Sequence, residues 1–251
     1  MVITSIAEQG GVGKTAVCFN LSWYLASKGE KVLMLDLDAQ AGNLSYFAGA
    51  RDDTSPTLHD VMLGTTKITD AMVKLDDNLY IVPANENILG IDEVMKKQGL
   101  SSLKEAIEPI RKKFDYIFID VNPTPSIIHA VTLIASDAFI IPTKPDAKAI
   151  SGTSSTIDTY REVKSKYNKK LKPLGVVINN YENRTNLALA ITTTLEQNCK
   201  AWNIPVCNTK IGTNVAISET GLRKIGITKY KPKSNGAKAY EALAKELFGV
   251  E

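Results

Sequence analysis

Cysteine is scarce. Only Cys18, Cys199 and Cys207 are present, an odd number with neither CxxC spacing nor a histidine nearby. Such a set builds no disulfide framework and no zinc module, and it reads as reduced, buried thiols in a cytoplasmic protein. No apolar run approaches the roughly 20 residues that span a bilayer. The opening MVITSIAEQ has no basic segment followed by an apolar one, so no secretory leader is expected. The two histidines, His59 and His129, have no carboxylate or cysteine partners at ligand spacing, which points to structural roles. No Pro/Gly/Ser-rich linker, internal repeat or low-complexity tract interrupts the chain. One domain over residues 1–251 is therefore expected, and 44% hydrophobic residues suffice for its core.

Charge is unevenly spread. Residues 1–143 hold 12 Lys+Arg against 18 Asp+Glu, a net of −6, whereas residues 144–251 hold 18 against 9, a net of +9. The second half is where a polyanion-binding face is expected.

The apolar pattern alternates between two kinds of segment. MVITSIA, KVLMLDLD, LYIVPA, FDYIFIDV, AFIIPT and LGVVINN are short and almost wholly apolar, as buried parallel strands are. Between them lie helical stretches: Lys14 to Lys28, with Val17, Leu21, Tyr24 and Leu25 at helical spacing and Gly29 as the stop, then 58–63, 90–113, 127–135, 150–167 and 186–202. Strands alternating with helices along the whole chain indicate an α/β fold: a doubly wound, mostly parallel sheet with helices on both faces.

The first strand runs into AEQGGVGKTA (7–16) and then into a helix. Gly10, Gly11 and Gly13 allow a tight turn with inward N–H groups, and the helix N-terminus adds partial positive charge. Residues Gly10, Gly11, Val12, Gly13, Lys14, Thr15 and Ala16 are expected to bind ATP, with Lys14 at the β and γ phosphates and Thr15 on Mg²⁺. The general GxxxxGK(S/T) motif asks for glycine where this chain has Glu8, so the loop is a variant. Asp36 and Asp38 end the second strand in DLDAQAGN (36–43), and Asp120 ends another. Ligands collect at that edge of a parallel sheet, and three carboxylates there imply metal, water or basic neighbours.

GGVGKT, DLDAQAGN, FDYIFID and the late PKSNGAKAYEALAKEL together resemble the ParA/MinD group of deviant Walker-A ATPases, with matches spaced from Val2 to Leu247. The resemblance implies an ATP hydrolase, slow and partner-stimulated, that forms a face-to-face homodimer with nucleotide between the subunits. It assigns phosphate and Mg²⁺ to Lys14 and Thr15, positioning of the attacking water to Asp38, and tuning of the metal site to Asp36 and Asp120. Asn179 or Asn180, at a strand end, takes the place of the adenine-reading asparagine.

The group's motif is KGGxGK(S/T), whose first lysine crosses to the partner's phosphates. Here that position is Gln9. Either catalysis is impaired or another cation substitutes. PTKPDAKAIS (142–151) follows a strand at the same edge and offers Lys144 and Lys148, of which Lys148 is the expected substitute. A lost signature lysine resembles the carboxysome-positioning, McdA-type branch.

ParA-type members bind DNA non-specifically as ATP dimers and work with an adaptor, ParB-like or McdB-like; MinD-type members bind membranes through a terminal amphipathic helix. KAYEALAKELFGVE carries three acids against two bases, which disfavours a membrane helix. Residues 210–233 hold Lys210, Arg223, Lys224, Lys229, Lys231 and Lys233 against the single acid Glu219. They are the expected DNA-binding residues, without a base-reading module. The reading is thus a nucleoid-associated partition or positioning ATPase, with carboxysomes ahead of plasmid or chromosome cargo. A MinD-like membrane regulator and a nucleotide-sensing module with little hydrolysis are the alternatives. A metallocluster scaffold would need cysteines at the dimer axis, and Cys199 and Cys207 do not follow the appropriate strands.

Overall fold

The computed structural model describes residues 1–38, 43–50, 55–182 and 186–250, the Leu89 side chain excepted. Residues 39–42, inside the DLDAQAGN motif, lie outside that set. The first half of the chain runs β1 (Val2–Ser5), α1 (Lys14–Ser27), β2 (Val32–Leu37), α2 (Leu44–Ala48), α3 (Leu58–Leu63), β3 (Val73–Asp76), β4 (Leu79–Val82), α4 (Ile91–Gln98), α5 (Ser102–Ile107) and β5 (Tyr116–Val121). The second half runs α6 (Ile127–Ala135), β6 (Ala138–Thr143), α7 (Ala149–Lys166), β7 (Lys172–Ile178), α8 (Asn186–Trp202), α9 (Val215–Arg223), α10 (Ile227–Tyr230) and α11 (Asn235–Phe248).

The strands form one sheet in the order β3-β4-β2-β5-β1-β6-β7. All pairings are parallel except β3 with β4. Successive side chains on each strand face opposite sides, so two cores form. Ile3, Met34, Phe118, Ile140 and Val177 join Phe19 of α1 and Tyr240 and Leu243 of α11 on one face. Leu33, Leu35, Ile117, Ile119, Phe139 and Ile141 join Val131, Ile157 and Leu195 on the other. Full burial of each such side chain contributes about 1.5–3 kcal/mol.

The doubly wound α/β expectation holds, but α2, α9, α10 and α11 lie outside the expected helical stretches, and two further elements differ. The single helix expected over 90–113 is broken: α4 ends at Gly99, whose φ of 96° no helix continues through, and α5 ends before Pro109. β3 was not anticipated, because VKLD at the sheet edge is half exposed and has no apolar run.

Strand register positions the chemistry. Ser5 pairs with Asp120, and Asp120 with Asp36, so three carboxyl-end residues of adjacent strands stand at one level beside the loop that follows β1.

Candidate functional site: a phosphate loop and a row of carboxylates

Between β1 and α1 the backbone enters the left-handed region at Gly11 (φ 68°) and Gly13 (φ 92°), which only glycine adopts without strain. Gly13 has a second constraint, since a Cβ there would stand 2.8 Å from Asn179 Nδ2. Among the described residues, no side chain caps the N-terminus of α1. Its first N–H groups are therefore donors for an anion. Residues 10–16, with Asp38, Asn43, Phe47 and Pro123, line a cavity of about 290 Å³. Lys14 is 6% exposed and its Nζ donates to the Gln9 carbonyl at 3.3 Å. Burial lowers the Lys14 pKa, against the opposing pull of Asp120 and Asp38.

Thr15 Oγ1 donates to Asp120 Oδ2 at 2.6 Å. The second oxygen, Oδ1, is buried without a partner among the described residues. Burial, reinforced by the charge of Asp36, pushes Asp120 up to about 8. Asp36 is differently engaged. Its Oδ2 accepts from Ser45 N–H (2.7 Å) and Ser45 Oγ (2.5 Å), and Oδ1 accepts from Asp38 N–H (3.0 Å). Burial raises Asp36 to about 7 in spite of those bonds. Asp36 thus ties α2 and the Asp38 backbone to the end of β2, and it reaches the site through its charge on Asp120. Asp38 is buried and borders the phosphate cavity.

Among the described residues, no group of three or more His, Cys, Asp or Glu side chains could hold a metal by itself. A threonine hydroxyl, one unpartnered carboxylate oxygen and a glycine cradle do fit Mg²⁺, which keeps several waters and takes phosphate oxygens for the rest.

The two asparagines separate clearly. Asn179 is buried, its Nδ2 donates to the Val12 carbonyl at 2.7 Å, and its Oδ1 has no partner among the described residues. Asn180 is exposed at φ 50°. Both border a hollow of about 130 Å³ beside Gly13 and Ala16, closed by Ile211, Val215 and Tyr240.

Gln9 is 8% exposed, and its Nε2 donates to both oxygens of Asp146, at 3.0 and 2.9 Å. Glu8, where the general motif has glycine, accepts from Ser155 and Thr159 of α7. Lys144 pairs with Asp146 at 3.3 Å. Lys148 is exposed, and its ammonium has no partner among the described residues. Gln9, Asp146, Lys148 and Gly152 surround a second cavity of about 540 Å³ next to Gly10.

The basic stretch is not one patch. Lys210 sits by the β7 edge, paired with Glu196 of α8 (3.1 Å), next to Ile211 whose N–H bonds Ile178. Lys229 pairs with Asp76 of β3, at the opposite edge of the sheet. Seven strands at about 4.8 Å spacing put those edges about 29 Å apart. Six bases face one acid along residues 210–233, but Glu196 and Asp76 arrive from elsewhere in the chain to pair with Lys210 and Lys229. Lys231 pairs with Glu219 at 2.7 Å. Lys224 donates to the Tyr46 carbonyl and lies over that ring, and Arg223 stacks over Tyr230. Lys233 is exposed.

Sequence reasoning missed Ser45, Phe47, Asp146 and Gly152. Asp146 lies inside PTKPDAKAIS, but attention to its lysines passed over it. His129 Nε2 bonds the Asn122 carbonyl at 2.9 Å, which steadies the loop after β5.

Comparison with known proteins decides the family. The AAA_31 (AAA domain) model matches residues 1–173. The chromosome partitioning protein ParA of Caulobacter vibrioides is 31% identical over 256 residues, covering 99% of this chain and 94% of that protein. The chain belongs to the ParA/MinD family of P-loop ATPases. The cell division ATPase MinD of Pyrococcus furiosus is 31% identical, superposes with a TM-score of 0.79 and covers 100% of this chain and 99% of its own. McdA of Cyanothece in its ATP complex superposes at 0.89 with 22% identity, covering 100% and 96% of the two chains, a likeness of fold. Family membership makes this chain an ATP hydrolase.

Proposed function

We propose that the chain is a ParA-type ATPase that dimerises face to face around ATP, binds DNA non-specifically as the dimer and uses hydrolysis to position cargo. Carboxysomes are favoured over plasmid or chromosome cargo, with an adaptor of McdB-like or ParB-like kind and residence on the nucleoid. The observation that carries the reading is the Lys148 ammonium beside Gln9, exposed and without a partner among the described residues, next to the phosphate loop where the signature lysine is missing. The fold likeness to McdA supports the same branch.

Each residue then has a task. Backbone N–H groups of residues 10–16 and the Lys14 ammonium hold the phosphates, and Asn179 with Asn180 borders the base. Thr15 and Asp120 hold Mg²⁺, with Asp36 acting on Asp120 from behind. A Mg²⁺ held by Thr15 and Asp120 would supply positive charge against the phosphates. Asp38 orients the attacking water, and Lys148 of one protomer reaches the phosphates held by the other. The α9–α10 corner, with Arg223, Lys224, Lys229, Lys231 and Lys233, supplies the phosphate-backbone contacts to DNA.

A MinD-like membrane role is disfavoured by α11. Tyr240, Leu243 and Ala244 of that helix are buried, and Phe248 packs edge-on against Tyr116 and Phe118, so its apolar face is already covered. No helix among the described residues is long and apolar enough to cross a membrane. The test is sedimentation velocity without nucleotide, with ADP and with Mg²⁺-ATP, on wild type and Lys148→Ala. A dimer formed only with ATP, and lost in the variant, is expected. A variant that dimerises and turns over ATP like wild type sinks the role of Lys148.

A further inference from the structure

The residue at the missing-lysine position is itself built in. Gln9 lies against α7 at Gly152, where a Cβ would come within 3.3 Å of Gln9 Cβ, so a larger residue in that helix crowds the glutamine. Its amide gives hydrogen bonds to both Asp146 oxygens. The same carboxylate accepts the Lys148 backbone N–H at 2.9 Å and pairs with Lys144 at 3.3 Å, and the Asp146 carbonyl accepts the Ala149 N–H at 3.0 Å. One side chain therefore joins the phosphate loop, the turn after β6 and the start of α7. Burial pushes the Asp146 carboxyl up, but the bonds from Gln9, Lys148 and Lys144 more than offset it and hold it below the ordinary range. Asp146 is thus an anion at neutral pH.

We propose that Gln9 and Asp146 are a positioning pair, a strut between the phosphate loop and the Lys144–Lys148 turn that fixes the backbone of Lys148 beside the phosphate loop. The inference rests on the reading of Lys148 as the cation that crosses the dimer. It gives Gln9 a positive role in place of a simple loss. A lysine at position 9 would meet the Asp146 carboxylate in its own subunit, where an ion pair holds the ammonium back from the partner's nucleotide. The neutral amide anchors the turn without competing for the phosphates, and Lys148 remains free to cross.

Reversal of the pair tests the strut. Gln9→Glu keeps size and shape but sets two carboxylates about 3 Å apart, which expels the turn. Gln9→Glu with Asp146→Asn restores the match, because the new amide donates to the new carboxylate and its oxygen still accepts from Lys148 N–H. Net charge is the same as in wild type. ATP-dependent turnover is measured in these variants and in Lys148→Ala, with KM and kcat separated and thermal melting as a control of folding. Gln9→Glu is expected to lower kcat about tenfold, and the double variant to recover most of it. Full turnover in Gln9→Glu, or no recovery in the double variant with its melting intact, overturns the strut. If the pair behaves as expected while Lys148→Ala turns over like wild type, the strut stands and the crossing role of Lys148 falls. Gln9→Lys is expected to remain at or below wild-type turnover, and a gain there contradicts capture by Asp146.

Discussion

Asn179, at the end of β7, holds the phosphate loop by its side chain: Nδ2 donates to the Val12 carbonyl across 2.7 Å, and the same nitrogen stands 2.8 Å from where a Gly13 Cβ would be. Elements 167 residues apart are thereby joined at the nucleotide site. Gly13→Ala meets both a left-handed backbone and that contact. Strain of about 1–3 kcal/mol predicts a Kd for ATP weaker by about 5- to 150-fold, measured by calorimetry.

The carboxylate row predicts an unusual pH dependence for the metal-free protein. Asp120 is raised to about 8 in the fold from an ordinary 3.8, so the native state binds a proton that the unfolded chain releases. Stability from that group is fully present below about 4 and is lost as pH rises through about 8. Asp120→Asn removes that group's share of the dependence while still accepting the Thr15 hydroxyl, and leaves the share of Asp36, itself raised to about 7. In EDTA the variant is expected to melt above wild type by at least about 2–4 °C at pH 8.5, with a smaller gain at pH 5. An equal gain at both values would show that Asp120 is ionised in the free protein.

The divided basic surface predicts unequal effects on DNA binding. Lys233→Ala is expected to weaken binding and lower the salt slope by about 1. Lys229→Ala has a smaller effect, because Asp76 already neutralises that ammonium, and Asp76→Ala strengthens binding by releasing it. Lys210→Ala, at the other edge of the sheet, leaves the affinity unchanged. Anisotropy titrations on one duplex rank the four variants.

Packing between α1 and α10 gives a test of stability alone. A Cβ on Gly226 would stand 2.3 Å from Trp23 Cβ and 2.5 Å from Cγ, so Gly226→Ala must move the indole or the α10 backbone. Overpacking of about 1–3 kcal/mol is expected in urea denaturation. A loss under 0.5 kcal/mol would mean that the helix shifts freely.

The phosphate loop was legible in the sequence because its glycines, Lys14 and Thr15 are neighbours whose spacing alone sets the geometry. Asp36 and Asp120 were legible as neighbours because parallel strands end at one level. Sequence could not separate their duties, since Ser45 turns Asp36 into an anchor for α2 and leaves Asp120 with the open oxygen. β3 was hidden because an edge strand needs no apolar run. The Gln9–Asp146 contact joins residues 137 apart, and no local pattern records it. The basic stretch misled for the same reason: Asp76 and Glu196 meet its lysines only in the folded chain.

The most direct test of the nucleotide-switched DNA binder is anisotropy on a non-specific duplex, without nucleotide, with ADP and with Mg²⁺-ATP, at two salt concentrations. Binding that requires ATP and weakens steeply with salt is the predicted result. Equal binding in all three states, or none in any, contradicts it.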